Sequence, residues 1–169
     1  WDLPTIFICE SNKYGMGTSE ERSSANREYF TRGDYIPGIW VNGMDVFSTK
    51  QAFSWAKKWV LKNGPLVMQT ETYRYGGHSI SDPGISYRTK DEIAKVKGLN
   101  HFSFVTAESD PIDWVKYNIL EHGVATEADI KGWNKEINDQ VKKAVQEAKD
   151  APWPDVKELY TDIESENIP

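Results

Sequence analysis

The residues whose types and spacing could do chemistry fall in two short stretches. Residues 73–89 carry Arg74, His78 and Arg88, four Ser or Thr hydroxyls (Ser79, Ser81, Ser86, Thr89) and glycines at 76, 77 and 84. Almost nothing there could fill a core. Loops of this length without structure of their own are functional or else disordered. Residues 10–18 offer a different chemistry. Asn12 presents an amide oxygen, and Gly15 and Gly17 let backbone come close to a ligand. Hard cations such as magnesium take oxygen ligands from Asn side chains and main-chain carbonyls, usually together with ligand phosphates. The Gly-x-Gly alone is weak: it lacks the third glycine and later acid of a dinucleotide fingerprint, and the Gly-Lys-Ser/Thr end of a P-loop. On residue types alone, a mobile surface loop with an incidental histidine competes evenly with a ligand site.

Both stretches need strands to hold them. Residues 5–9 are a continuous β-prone apolar run, the pattern of a strand covered on both faces. Residues 65–70 form a second run behind a Gly-Pro break and predict a buried strand leading into residues 73–89. Open α/β sheets place ligands where loops leave such strands. Residues 19–34 are charged, with Ser and aromatic residues, and residues 38–43 read as a short strand ending in a turn. Ser48-Thr49-Lys50-Gln51 has capping-box form. Ala52, Phe53, Trp55, Ala56, Trp59 and Val60 follow at helical spacing, and Asn63-Gly64-Pro65 stops the helix. Strand, helix and strand with short connections imply a right-handed crossover in a parallel sheet.

The later part of the chain reads as helical. Asp110-Pro111 opens one helix, which carries Ile112, Val115, Tyr117, Ile119 and Leu120 and closes at His122-Gly123. Thr126-Glu127-Ala128-Asp129 caps a longer one. Its Ile130, Trp133, Ile137, Val141, Ala144, Val145 and Ala148 lie on one stripe, expected to pack against the body of the protein. Pro152 and Pro154 end it, and Trp153 is a candidate anchor. The fold class is α/β, a mainly parallel sheet with flanking helices and a helical C-terminal part.

Composition narrows the function classes. The chain has 169 residues, net charge −6 and 38% hydrophobic residues. That excludes wholesale disorder and fits one domain. The acidic balance gives no electrostatic reason to expect nucleic acid or an anionic membrane. Cys9 is the only cysteine, so no internal disulfide forms, and its apolar strand predicts a buried side chain. The chain opens Trp1-Asp2-Leu3-Pro4 without an initiator Met or leader, and is read as an internal or processed segment.

Together, the strand end Cys9-Glu10-Ser11-Asn12-Lys13-Tyr14-Gly15-Met16-Gly17-Thr18 and the loop at residues 73–89 resemble the alpha subunits of the thiamine-diphosphate-dependent decarboxylating component of pyruvate dehydrogenase. The resemblance runs from Trp1 to about residue 97 and more loosely from about Ser109 onward. The first half of that family's cofactor motif, Gly-Asp-Gly, is not in this sequence. The branched-chain 2-oxoacid dehydrogenase alpha subunit is the nearest alternative, disfavoured by Tyr14-Gly15-Met16-Gly17 and Asp82-Pro83-Gly84. A non-catalytic module on the same fold is another, disfavoured by the presence of Asn12 and His78.

The resemblance implies thiamine diphosphate and magnesium as cofactors, with Asn12 (side-chain oxygen) and Tyr14 (backbone carbonyl) as metal ligands. It implies that His78 is a catalytic-loop histidine near the cofactor diphosphate. Ser79, Ser86 and Ser19 correspond to the family's three regulatory phosphorylation sites, served by a kinase and phosphatase. Gly76 stands where the family form has histidine, so no role of that residue carries over. The implied working unit is an α2β2 heterotetramer with a beta subunit, docked on the acetyltransferase core and its lipoyl domain in the mitochondrial matrix. This stretch alone is expected to be inactive. The implied organisation is residues 1–97 as the C-terminal part of the cofactor-binding α/β domain, 98–108 as an atypical insertion, and 109–169 as a helical region of the same domain. Residues 98–107 have no counterpart in the resemblance: they are a lineage-specific loop or a translated intron, the second being favoured.

Overall fold

The computed structural model describes residues 1–96 and 110–161. The insertion at 98–108, with His101, lies outside the described residues. The chain forms two compact units, Trp1–His122 and Gly123–Pro169.

In chain order the first unit contains β1 (Ile6–Ser11), the two-residue strands β2 (Tyr14–Gly15) and β3 (Thr18–Ser19), α1 (Glu20–Ser23) and a 3₁₀ turn (Tyr29–Arg32). Then follow β4 (Gly38–Asn42), α2 (Val46–Asn63), β5 (Leu66–Glu71), α3 (Lys90–Val96) and α4 (Pro111–Glu121). The sheet has the order β1-β5-β4 with both pairs parallel, as the strand–helix–strand reading requires. Helix α2 lays Ala56 and Val60 on Val41, Leu66 and Met68 to make the core. Leu66 and Met68 are fully buried, and each burial contributes about 1.5–3 kcal/mol. On the opposite face of β5, buried Gln69 accepts from the Phe30 N–H at 3.2 Å and donates to the Arg27 carbonyl at 3.2 Å. That side chain fastens the irregular 24–34 segment to the sheet. Gly38 is required beneath it, since a Cβ there would lie 1.8 Å from the Phe30 oxygen.

Two expectations are corrected here. Strand β1 is not covered on both faces: Phe7 and Ile8 keep 53% and 47% of their surface, and Cys9 is half-buried. Among the described residues β1 is an edge strand, so its side chains have sheet neighbours on one side only. The cap of α2 is Asp45, not Ser48. Asp45 accepts from the Phe47 N–H at 3.0 Å and the Ser48 hydroxyl at 2.6 Å. The Ser48 hydroxyl, then the Phe47 N–H, hold the Asp45 carboxyl below the usual carboxylate range against the opposing effect of burial. A carboxylate one turn earlier outcompetes the serine for the free N–H groups of the first turn. Gly64 ends α2 at φ +84°.

Helix α4 belongs to the first unit. Its cap Asp110 accepts from the Ile112 N–H, and its Trp114 indole donates to Asp45 at 3.3 Å. In the second unit, Thr126 and Asp129 form the expected capping box at the start of α5 (Glu127–Asp150). No residue of α5 is buried, and Trp133, Ile137, Val141 and Val145 are each about half exposed. The burial expected of that stripe is therefore not observed among the described residues. Trp153 is 95% exposed. No described helix is long and apolar enough to cross a membrane.

Candidate functional site

Strands β1 and β5 are hydrogen-bonded neighbours in register from Ile6 opposite Leu66 to Ser11 opposite Glu71. The turn after β1 and the loop after β5 therefore leave the same end of the sheet, side by side. The Thr72 N–H continues the ladder to the Ser11 carbonyl at 2.8 Å.

The turn is built on Asn12, whose Oδ1 accepts from the Tyr14 N–H at 3.1 Å. Lys13 and Met16 have φ of +72° and +52°, a left-handed conformation that costs non-glycine residues on the order of 1–3 kcal/mol. Lys13 is held in it from several sides. Its ammonium pairs with Glu20 at 3.3 Å and Glu71 at 2.5 Å, and its carbonyl accepts from the Glu20 N–H at 2.9 Å. Glu71 also accepts from the Trp40 indole at 3.0 Å. Burial works against both charges, yet the pairing wins: Lys13 is raised above the usual lysine value and Glu71 lowered below the usual carboxylate one.

The loop has no regular structure between β5 and α3, but it has a centre. Arg88 is 5% exposed and donates to the carbonyls of Gly84 (2.7 Å), Tyr75 (3.1 Å), Gly76 (2.6 Å) and Arg74. Its guanidinium lies 5.2–5.7 Å from the ring centroids of Tyr73, Tyr87 and Tyr14. A buried charge is costly unless its hydrogen bonds are met, and here main-chain oxygens and aromatic faces meet them. Asp82 ties the tip. It accepts from the N–H groups of His78 (2.7 Å) and Gly84 (2.8 Å) and from the Tyr87 hydroxyl (2.8 Å). The His78 N–H first, then the other two, hold its carboxyl down at about 2. Gly77 permits this closure, since a Cβ there would meet the Asp82 oxygen at 1.8 Å.

Turn and loop are joined. Arg74 donates to the Tyr14 carbonyl at 3.4 Å, the Met16 carbonyl at 2.6 Å and the Tyr87 hydroxyl at 2.9 Å. Glu92 of α3 accepts from the hydroxyls of Tyr14 (3.1 Å) and Tyr73 (2.8 Å). Burial, then this carboxylate, raise both phenols, Tyr73 to about 12.

Of the residues singled out from sequence, Asn12 and Tyr14 share the turn. Ser19 pairs with Tyr14 across β2 and β3 and lines a cleft with Lys13, Arg27, Tyr73 and Glu92. His78, Ser79 and Ser86 are exposed on the loop. The His78 ring has no hydrogen-bond partner among the described residues, and the Ser79 hydroxyl lies 3.1 Å from that of Ser81. The loop reaches the turn through Arg74, Tyr87 and Arg88, together with Glu92 of α3; the sequence reading counted the two arginines among residues that could do chemistry and gave Tyr87 and Glu92 no role. Two arginines amid glycines were the only hint of Arg88. For Glu92 there was none, as an acid in a first helical turn is ordinary.

The turn offers the donor types that an oxygen-coordinated cation takes. The Asn12 oxygen accepts one N–H, and the Tyr14 carbonyl receives one long contact, so each keeps a lone pair. Neutral oxygen donors suit a hard divalent ion whose charge is balanced by ligand phosphates.

The model of the dehydrogenase E1 component family matches residues 1–157. The chain belongs to that family. Three curated relatives are similar to it. The chain is 48% identical over 163 residues to the mitochondrial pyruvate dehydrogenase E1 component subunit alpha of Solanum tuberosum, covering 96% of this chain and 39% of the relative. It is 51% identical over 166 residues to that of Kluyveromyces lactis (96% and 38%) and 48% identical over 167 residues to the type II subunit of Ascaris suum (96% and 40%). The chain thus spans about two fifths of the length of these relatives. Both the turn and the loop fall inside the part that matches the dehydrogenase E1 component.

Proposed function

We propose that the chain is part of the alpha subunit of a mitochondrial pyruvate dehydrogenase that uses thiamine diphosphate and magnesium and transfers an acetyl group to a lipoyl carrier. The observation that carries this reading is the adjacency of an oxygen-donor turn and a histidine-bearing loop on neighbouring parallel strands, in a chain about half identical to proteins of that name. Those names also favour pyruvate over a branched-chain 2-oxoacid.

When bound, thiamine diphosphate supplies the electron sink that decarboxylation of a 2-oxoacid needs and amino-acid side chains lack. This chain would hold it through the metal, with the Asn12 Oδ1 and the Tyr14 carbonyl as two ligands. The exposed His78 ring, with no partner among the described residues, is free to donate to the diphosphate. Arg88 and Asp82 keep the loop that carries His78 in one conformation. The partners are a beta subunit in an α2β2 assembly and the lipoyl domain and core of an acetyltransferase. Phosphorylation of Ser79 would set a group of about −1.5 to −2 charges near the Asp82 carboxylate. Competition for the His78 N–H would then loosen the loop. Ser86 and Ser19 are the further regulatory positions.

The test uses the full-length subunit assembled with its partner. Asn12→Ala is expected to weaken magnesium-dependent cofactor binding about 10- to 100-fold. An unchanged dissociation constant would overturn the site. For regulation, Ser79→Glu should lower turnover strongly while Ser79→Ala keeps it. Full turnover after stoichiometric phosphorylation of Ser79 would remove that mechanism.

A further inference from the structure

We infer that Glu92 is a positioning residue that couples the cation-binding turn to the loop, through one carboxylate oxygen shared by Tyr14 and Tyr73. The inference rests on the reading of the Tyr14 carbonyl as a metal ligand.

Both phenols converge on the same atom: the Tyr14 hydroxyl donates to the Glu92 Oε1 at 3.1 Å and the Tyr73 hydroxyl at 2.8 Å. Tyr14 is the residue whose carbonyl is the proposed ligand. Tyr73 is where the loop begins after β5. The far end of the loop meets the same place, because the Glu92 N–H donates to the Thr89 hydroxyl at 3.0 Å and the Ile93 N–H to the Thr89 carbonyl at 3.3 Å. Thr89 so fixes the start of α3, and with it the position of the Glu92 side chain. One residue thereby holds both ends of the loop and the ring of the turn.

The ring of Tyr14 has two further neighbours. It lies 5.5 Å from the Tyr87 ring and 5.7 Å from the Arg88 guanidinium. With its hydroxyl fixed and its ring packed, the Tyr14 residue has little freedom to turn its carbonyl away, although Lys13 before it sits at positive φ. Without Glu92 the two half-buried hydroxyls lose their common acceptor, and the strained turn loses its outer tether. Cation affinity and loop order then come apart. By reciprocity, while they are linked, an ordered loop strengthens cation binding by the factor by which the cation orders the loop.

The measurement is a magnesium titration of the full-length α2β2 enzyme at fixed thiamine diphosphate, followed by cofactor binding rather than turnover. Glu92→Ala is expected to raise the apparent magnesium dissociation constant about 3- to 10-fold, the scale of one lost hydrogen bond. Glu92→Gln keeps an oxygen at the shared position and should restore most of the affinity, whereas a residue that only supported helix α3 would shift thermal stability and leave the constant alone. Tyr14→Phe should raise the constant by a similar factor and add little in the Glu92→Ala background, because both remove the same contact. An unchanged constant in Glu92→Ala, or independent multiplication of the two effects, overturns the coupling. Should Glu92→Ala fail to assemble, Tyr14→Phe alone decides, since an unchanged constant there removes the contact's role. Asn12→Ala separates this from the underlying reading: if it too changes nothing, the cation site itself is misplaced. If it alone weakens binding, only Glu92 is excluded.

Discussion

The loop at residues 73–89 and helix α5 invert the usual link between regularity and burial. Helix α5 is 24 residues of unbroken helix without one buried residue. The loop has no helix or strand, yet it encloses Arg88 at 5% exposure. The helix satisfies its backbone internally, so it needs no neighbour to define its path. The loop's carbonyls have no such ladder, and a five-donor guanidinium gathers four of them instead. Regular structure can thus be determined locally. Irregular structure can be held by a single polar centre.

The sharpest way to break this contrast is to remove the centre. Arg88→Ala should free the loop, raising its cleavage rate by added protease about 100-fold, in line with at least one buried carbonyl left unmet. Arg88→Lys should recover only part of the protection, because an ammonium cannot span the fork. A loop equally protected in Arg88→Ala would mean that the glycines and aromatic contacts hold it unaided. For the helix, local changes should be sufficient. Thr126→Ala removes the capping-box hydroxyl and should lower helix stability by about 1 kcal/mol, read by circular dichroism on heating. Gly132→Ala meets nothing within 4 Å and should raise it by about 0.5–1 kcal/mol. A destabilising Gly132→Ala would show that something occupies that face.

The smallest effect is that of pH on the loop tip. The Asp82 carboxyl sits at about 2 in the folded chain, below its unfolded value of about 3.9. A depressed carboxylate contributes fully above the unfolded value and is lost as pH falls through the folded one. Hydrogen exchange at the His78 and Gly84 amides, corrected for intrinsic rates, should therefore be flat from pH 8 to about 5 and rise only toward pH 2. A transition near neutral pH would assign the tip's order to another group.

Much of the scaffold was legible in the chain. The strands at residues 5–9, 38–43 and 65–70, the Gly64 stop and the Thr126–Asp129 cap each depend on side chains a few positions apart. The α2 start was misread for a related reason. Asp45 and Ser48 both qualify as caps, and only the folded turn shows which of them reaches the free N–H groups. Exposure of Phe7 and Ile8 was not legible either, because strand order decides it, and composition cannot tell an edge strand from a central one.

Sequence by itself determined the three sheet strands and the long helices, their parallel arrangement, the family, and the two stretches that carry the polar groups, since apolar periodicity, caps and motifs are local. Tertiary structure alone decided that these stretches leave adjacent strands, that Arg88 is buried, that Arg74 faces the Tyr14 carbonyl, and that Glu92 holds Tyr14 and Tyr73 together. Those contacts join residues far apart along the chain. Each is selected by the need to satisfy a polar group once folding has removed it from water, a requirement that exists only in the assembled fold.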